Sequence, residues 1–198
     1  VDPEEVCAIA RQVLGDEKRP VAQKLPLPEE ELTCPVQEQT VKMQVSMPMF
    51  QIGFKCHRAD RGDATVRQEI VGDLAAEVLF GESSELYLRL YEEGLIDSSF
   101  GGGFDTVEGM AMLTASGDSD DPRAVKDAIF RAARQLLEAG IDEQDFLRMK
   151  RSALGRRIRD LDSFDSTCFR LCAYYFAGFD YFEFPGVYRD VQRQELLE

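Results

Sequence analysis

Residues 81–96 constrain the fold of this chain more than any other stretch. Before them, Val66, Ile70, Val71, Leu74, Val78 and Leu79 recur at helical spacing, and Gly81 stops the helix they predict. Ser83 or Ser84 then caps a second, short helix with Leu86, Tyr87, Leu90 and Tyr91 on its apolar side, and Gly94 ends it. Two extended segments leave the stretch, so it joins a helix pair to a hairpin.

The first of those segments, residues 98–105, places Phe100 and Phe104 on one face at even spacing. Between them lie Gly101, Gly102 and Gly103. Glycine in a strand has no side chain to pack, so the run marks a bulge, an open sheet face or a close backbone approach. Without the Gly-Lys-Ser/Thr ending, it is no phosphate loop. Residues 106–109 turn, 110–115 return as a strand of small residues, and 117–121 form an acidic loop.

Helices follow. Asp120 or Asp121 caps one that starts at Pro122, carries Val125, Ile129, Ala132, Ala133, Leu136 and Leu137, and ends at Gly140. Asp142 caps the next, with Phe146, Met149, Ala153, Leu154, Ile158 and Leu161 on its buried side. Arg148, Lys150, Arg151, Arg156, Arg157 and Arg159 surround its opposite side, as a solvated face paired with carboxylates or as a docking surface for an acidic partner. Ser163 or Asp165 starts a third helix through Phe169, Leu171, Cys172, Tyr175 and Phe176 to Gly178. Pro185 precedes a last short helix at about residues 187–197. The aromatic density over residues 169–188 serves either core or interface.

Upstream, Asp2 caps a helix with Pro3 at its first position and Glu5 in its first turn. Its stripe is Val6, Ile9, Ala10 and Val13, and Gly15 and Pro20 end it. One amphipathic helix cannot bury its own stripe, so it has to dock elsewhere. Residues 16 to about 35, with Pro20, Pro26, Pro28 and Pro35, read as a linker. Residues 36–45 alternate, with Val41, Met43 and Val45 on one face. A second strand over residues 49–55 follows, with Phe50, Ile52 and Phe54 on one side. Ser46, Met47 and Pro48 join the two, and residues 57–65 are a polar loop. Strands and helices come in blocks rather than alternating. That order predicts an α+β domain whose antiparallel or mixed sheet is covered on one face by helices.

The chemistry is bounded by a scarce residue. Among 198 residues, His57 is the one histidine, so neither His-x-x-Glu-His nor His-Glu-x-x-His occurs. A catalytic zinc normally takes three protein ligands and a water. A site would have to combine His57 and Cys56 with a distant Cys34, Cys168 or Cys172. No short Cys-x-x-Cys pair supports that, and structural thiols are the better reading. Histidine-assisted serine or cysteine chemistry would likewise depend on His57. Acids are abundant, yet no spacing selects a pair for acid–base work. A formal charge of −14, from 23 basic and 37 acidic residues, argues against unspecific binding to nucleic acid or an anionic membrane. Five cysteines, an acidic start without a signal-peptide pattern and no apolar run of spanning length fit a cytoplasmic protein or an excised piece of one.

The run over residues 78–100, read through Phe80, Gly81, Ser83, Ser84, Leu86, Leu90, Glu92, Gly94 and Leu95, resembles the insulinase/pitrilysin-like zinc metallopeptidases, closest to a bacterial processing-peptidase-like branch. Gly117 and Asp118, the helix start at Asp121 and Pro122, and Gly140, Ile141, Asp142 and Phe146 fit it too, as does the opening from Val1 to Glu5. The resemblance implies an insulinase-type, metallopeptidase-like domain from the non-catalytic half of a two-half chamber. Residues 1–19 are then the tail of a preceding homologous domain, 20–35 a linker, and 36–198 a non-zinc α+β domain truncated at its C-terminal end. It implies no catalytic, metal or cofactor residues here, with zinc only in the missing N-terminal half, where a zinc-bound water attacks the peptide carbonyl and a glutamate is the base. Active members of the family reach the substrate from this half with an Arg and a Tyr. The matching places here hold Tyr91 and, approximately, Asp97, with Arg89 half a helical turn away. Arg89, Tyr91, Phe100 and Phe104 are the candidate substrate contacts. The expected partners are a zinc-bearing homologous half or paired subunit, a peptide, and a second copy of the chain. The expected role is to enclose or grip a peptide, by strand addition along residues 50–55 or 98–104. The alternative is a structural or interaction module with no proteolytic role. A third reading is an unrelated enzyme that needs no histidine.

Overall fold

The computed structural model describes residues 2–15, 20, 23, 31–59, 62–107 and 110–197. Seven helices and three strands lie among them: α1 (Pro3–Leu14), β1 (Met49–Cys56), α2 (Asp63–Phe80), α3 (Glu85–Glu92), β2 (Gly101–Val107), β3 (Met110–Asp118), α4 (Pro122–Ala139), α5 (Glu143–Arg159), α6 (Phe164–Ala177) and α7 (Phe184–Asp190). Short 3-10 turns occupy Asp160–Asp162, Tyr181–Glu183 and Arg193–Leu197.

Local chemistry sets the helix starts. Ser84 Oγ accepts from Tyr87 N at 3.1 Å, Asp121 Oδ1 from Ala124 N at 3.0 Å, Asp142 Oδ1 from Gln144 N at 2.8 Å, and Ser163 Oγ from Ser166 N at 3.3 Å. Each such cap satisfies a backbone N–H that the helix itself leaves free, worth about 1 kcal/mol. Gly140 and Gly178 end α4 and α6 at φ of 75° and 85°, where a side chain would be strained.

The strands form one antiparallel sheet in the order β1-β3-β2. Phe50, Ile52, Phe54, Leu113 and Ala115 join Phe80, Leu86, Leu90, Val125 and Ile129 in one apolar cluster under the C-terminal half of α2, α3 and α4. A second cluster, with Val66, Ile70, Leu74, Phe146, Tyr174, Tyr181, Phe184 and Val191, binds α2 to α5, α6 and α7. Helix α2 serves both, which is why its apolar residues run nearly all round it. This is an α+β fold with an antiparallel sheet covered by helices.

Several expectations are corrected. Residues 36–45 form no strand, and Val41 and Met43 are 67% and 68% exposed. Alternation makes a strand only where another strand takes its hydrogen bonds, and among the described residues none does. Side chains hold this segment instead: Glu38 accepts from Arg123 at 2.8 Å and from Lys126 at 3.4 Å on α4. Helix α2 begins at Asp63, inside the expected loop. Strand β2 runs through Thr106, and β3 extends to Asp118. The turn residues 108 and 109 lie outside the described residues, as does most of the expected linker. On α6 only Tyr174 is buried; Phe169, Tyr175 and Phe176 are 74–80% exposed. The last helix starts early, at Phe184, with Pro185 in its first turn, and breaks at Val191. The stripe of α1 is exposed along its length.

Candidate functional site

Side chains alternate across a strand, so each strand offers a second set to the sheet's other face. Gln51 and Gly53 on β1, Gly101, Gly103 and Asp105 on β2, and Met112, Thr114 and Ser116 on β3 make up that set. None of them is buried. The helices cover one face, and this one is bare among the described residues.

The three glycines of β2 divide between the faces. A Cβ at Gly102 would collide with the Phe80 ring and lie 2.6 Å from the Thr114 carbonyl oxygen, so helix packing requires that glycine. A Cβ at Gly101 or Gly103 would meet nothing within 4 Å. Those two leave the bare face low, with space above the backbone for another chain.

With β3 in the centre, β2 keeps one edge unpaired among the described residues. A pocket of about 240 Å³ follows that edge, between Gly102 and Gly103 on one side and α2, α5 and α6 on the other. Its walls are charged. Arg156 pairs with Glu77 at 3.2 Å, and Arg157 and Arg170 share Glu69 at 3.3 and 3.7 Å. Arg157 is buried, with its side chain 5% exposed and its guanidinium carbon 5.3–6.0 Å from the ring centroids of Tyr174, Phe184 and Tyr181. It donates to the Tyr174 hydroxyl, which donates on to Glu69 at 2.5 Å, while its Nε has no partner. Burial pushes the Glu69 carboxyl up against the pull of the two arginines. Asp73 shows its outer side to solvent, yet burial of its inner side, then repulsion from Glu69, pushes its carboxyl up to about 6.

The four candidate contacts do not converge on this face. Phe100 is 5% exposed, and its ring lies 6.0–6.2 Å from those of Phe50, Phe80 and Tyr87. Phe104 packs against Gly72 of α2, where a Cβ would overlap its ring. Even spacing does set both phenylalanines on one face, but it is the helix-covered one, so Phe100 packs in the core and Phe104, half-buried, lies against α2. Tyr91 is 54% exposed and stacks on Tyr87 at 5.8 Å. Arg89 lines a separate pocket of about 360 Å³ among α2, α3, α4 and α5, with its Nη2 buried and unpartnered.

Sequence reasoning missed Arg157, which it placed in a basic run facing solvent or an acidic partner, and Asp73. A signal existed for Arg157: it follows Phe146 by eleven residues and Ala153 by four, which returns it to the apolar stripe of α5. Ile158, expected inside, is 50% exposed in its place.

The donor set does not fit a zinc ion. The chain has one histidine, exposed in the loop after β1, and among the described residues no group of three or more His, Cys, Asp or Glu side chains is placed to hold a metal. No helix among them is long and apolar enough to cross a membrane.

The fold is an antiparallel sheet with helices on one face, and no cluster of metal donors lies among the described residues. The family model of the peptidase M16 inactive domain matches residues 1–153, and the chain belongs to that family. It is a non-catalytic domain of a zinc-peptidase-like protein, as the resemblance implies. YmfH of Bacillus subtilis (strain 168), described as an uncharacterized zinc protease, is 26% identical over 203 residues, which cover 99% of this chain and 46% of that protein. A structure described as an M16-like peptidase, from Alicyclobacillus acidocaldarius, superposes on all of the chain with a TM-score of 0.88 at 21% identity, using 49% of its own length. A protease from Helicobacter pylori does so with a TM-score of 0.76 at 15% identity over 48% of its length. At such identities the two structures speak for the fold. The chain spans about half the length of these relatives.

Proposed function

We propose that this domain forms one wall of a peptide-holding space whose zinc-bearing domain lies elsewhere in the parent protein or in a paired subunit. The observation that carries the reading is the sheet face that is bare among the described residues, lined by Gly101, Gly103, Thr114 and Ser116 and bordered by edges of β1 and β2 that no described strand pairs. An extended peptide gains main-chain hydrogen bonds from such an edge and needs shallow ground beside it. The relatives carry about as much chain again, and in this reading that remainder holds the zinc. No step of hydrolysis is assigned to the residues of this chain. Tyr91 remains accessible to a peptide or partner, whereas Phe100 serves the core behind the wall and Phe104 packs against α2. In the proposed arrangement residues 1–19 belong to the preceding domain, residues 20–35 link it to this one, and the assembly works in the cytoplasm.

The test is reconstitution. This chain alone is expected to leave a peptide substrate intact. The zinc-bearing domain alone should cleave poorly, and the two together should cleave. Thr114→Arg, which raises a bulky charge on the bare face, should lower the joint rate at least tenfold with the melting temperature unchanged. Full activity without this chain, or an unchanged rate with Thr114→Arg, overturns the reading. The exposed aromatic face of α6, with Phe164 and Phe176 at 87% and 80%, favours the alternative of an interaction module without proteolytic role. That alternative gains if the assembly forms and never cleaves.

A further inference from the structure

We propose that the slot beside β2 is a binding site for an extended peptide segment carrying a lysine or arginine side chain, which would lie between Asp73 and Asp160. This rests on the peptide-holding reading only for the kind of chain that enters the slot.

The geometry supplies three things. The first is the edge of β2 that no described strand pairs, whose main-chain groups can take one more strand. The second is room. The pocket of about 240 Å³ opens along that edge at Gly102 and Gly103, on the side toward the helices. Side chains of an added strand alternate, so every second one would point into this pocket and the others would lie on the bare face. The third is a pair of carboxylates left without a direct partner, although the lining holds three arginines against three acids. The cations of the pocket are committed: Arg156 to Glu77, and Arg157 and Arg170 to Glu69. Among the described residues, the carboxylates of Asp73 and Asp160 have neither an ion pair within 4 Å nor a hydrogen bond. Both line the pocket.

A long basic side chain suits this arrangement. Its methylene stem would run under α2, past Leu74 and Ala76, and its head would meet the two carboxylates. An acidic side chain would bring a third negative charge into the same space and be rejected. Arg157 Nε, buried and without an acceptor, faces a demand that a peptide carbonyl can meet. The net charge of −14 steers a basic segment toward the domain from a distance.

The test uses the 198-residue chain and a fluorescein-labelled hexapeptide, acetyl-Thr-Val-Lys-Val-Thr-Val-amide, followed by fluorescence anisotropy. Comparison peptides carry norleucine or glutamate in place of the lysine, and a fourth is N-methylated at alternate amides. The lysine peptide should bind at least tenfold more tightly than the norleucine peptide, and the glutamate peptide more weakly still. Asp73→Asn with Asp160→Asn should bring the lysine peptide to the level of the norleucine peptide, with a melting temperature no lower than the parent's. N-methylation should abolish binding, as strand pairing requires. Equal binding of the lysine and glutamate peptides overturns the proposal. So does a lysine preference that survives the double substitution, indifference to N-methylation, or no binding at millimolar peptide. Because no cleavage is read, failure of the chamber reading leaves these outcomes interpretable.

Discussion

The ring of Phe80, at the end of α2, occupies the volume that a Cβ at Gly102 of β2 would need. The glycine is therefore a packing requirement, whereas its neighbours Gly101 and Gly103 face open space. Gly102→Ala forces the ring or the strand aside and should destabilise by about 1–3 kcal/mol. Gly101→Ala and Gly103→Ala should be neutral or stabilising by up to about 1 kcal/mol, because alanine loses less backbone freedom on folding. Urea unfolding of the three variants checks the split. Similar losses at all three positions would remove the two-faced assignment of the strand.

Arg157 predicts a larger effect. It is a buried cation held by Glu69 and Tyr174 and surrounded by aromatic rings. Arg157→Met leaves Glu69 without its main counter-charge, and breaking a buried pair by removing one member costs about 3–5 kcal/mol. Adding Glu69→Gln removes the stranded charge, so the double variant should recover part of that loss. Chemical denaturation of the four-member cycle reads the coupling. Simple additivity would mean that the two groups do not depend on each other.

What sequence alone conveys here follows the range of the interaction. The caps at Ser84, Asp121, Asp142 and Ser163 are two- or three-residue hydrogen bonds, so their residues announce the helix starts. The hairpin of β2 and β3 is equally local. Arg157 and Glu69 are 88 residues apart, and no pattern along α5 tells which neighbour will accept a guanidinium. Residues 36–45 show the opposite failure: the alternation is present, but the partner that would make it a strand is not among the described residues. Even spacing puts Phe100 and Phe104 on one face. Which layer they meet was set by α2, whose Gly72 leaves room for Phe104.

The aromatic residues near the C-terminus separate cleanly by position. Tyr181 and Phe184 are 2% and 1% exposed, whereas Phe169 and Phe176 are 74% and 80% exposed. Phe169→Ser and Phe176→Ser should each change stability by no more than about 0.5 kcal/mol. Phe184→Ala should cost about 3–5 kcal/mol through the cavity left under α2 and α5. Thermal melts at matched protein concentration distinguish the two classes. A large loss from Phe176→Ser would place α6 in the core after all.

Asp73 gives the domain a pH dependence of unusual sign for a carboxylate. Its folded-state pKa, about 6, lies above the ordinary aspartate value of 3.8, because burial and the Glu69 carboxylate both oppose ionisation. Between those two values the folded chain binds the proton more strongly than the unfolded chain. The contribution of Asp73 is thus fully present below about pH 4 and is lost as pH rises through 6. Asparagine imitates the protonated carboxyl at every pH. Asp73→Asn should therefore match the parent near pH 3.5–4 and exceed it at pH 7.5. The gain should be no more than about 1 kcal/mol, since water on the outer side of Asp73 screens the repulsion. Other titrating carboxylates act on both proteins alike and largely cancel in the difference. Melting curves of the pair at half-unit steps from pH 4 to 8 should diverge steadily to about pH 6.5 and then run parallel. A difference that is constant across the range, or one that grows toward acid, would mean that Asp73 ionises in the folded domain as freely as in water.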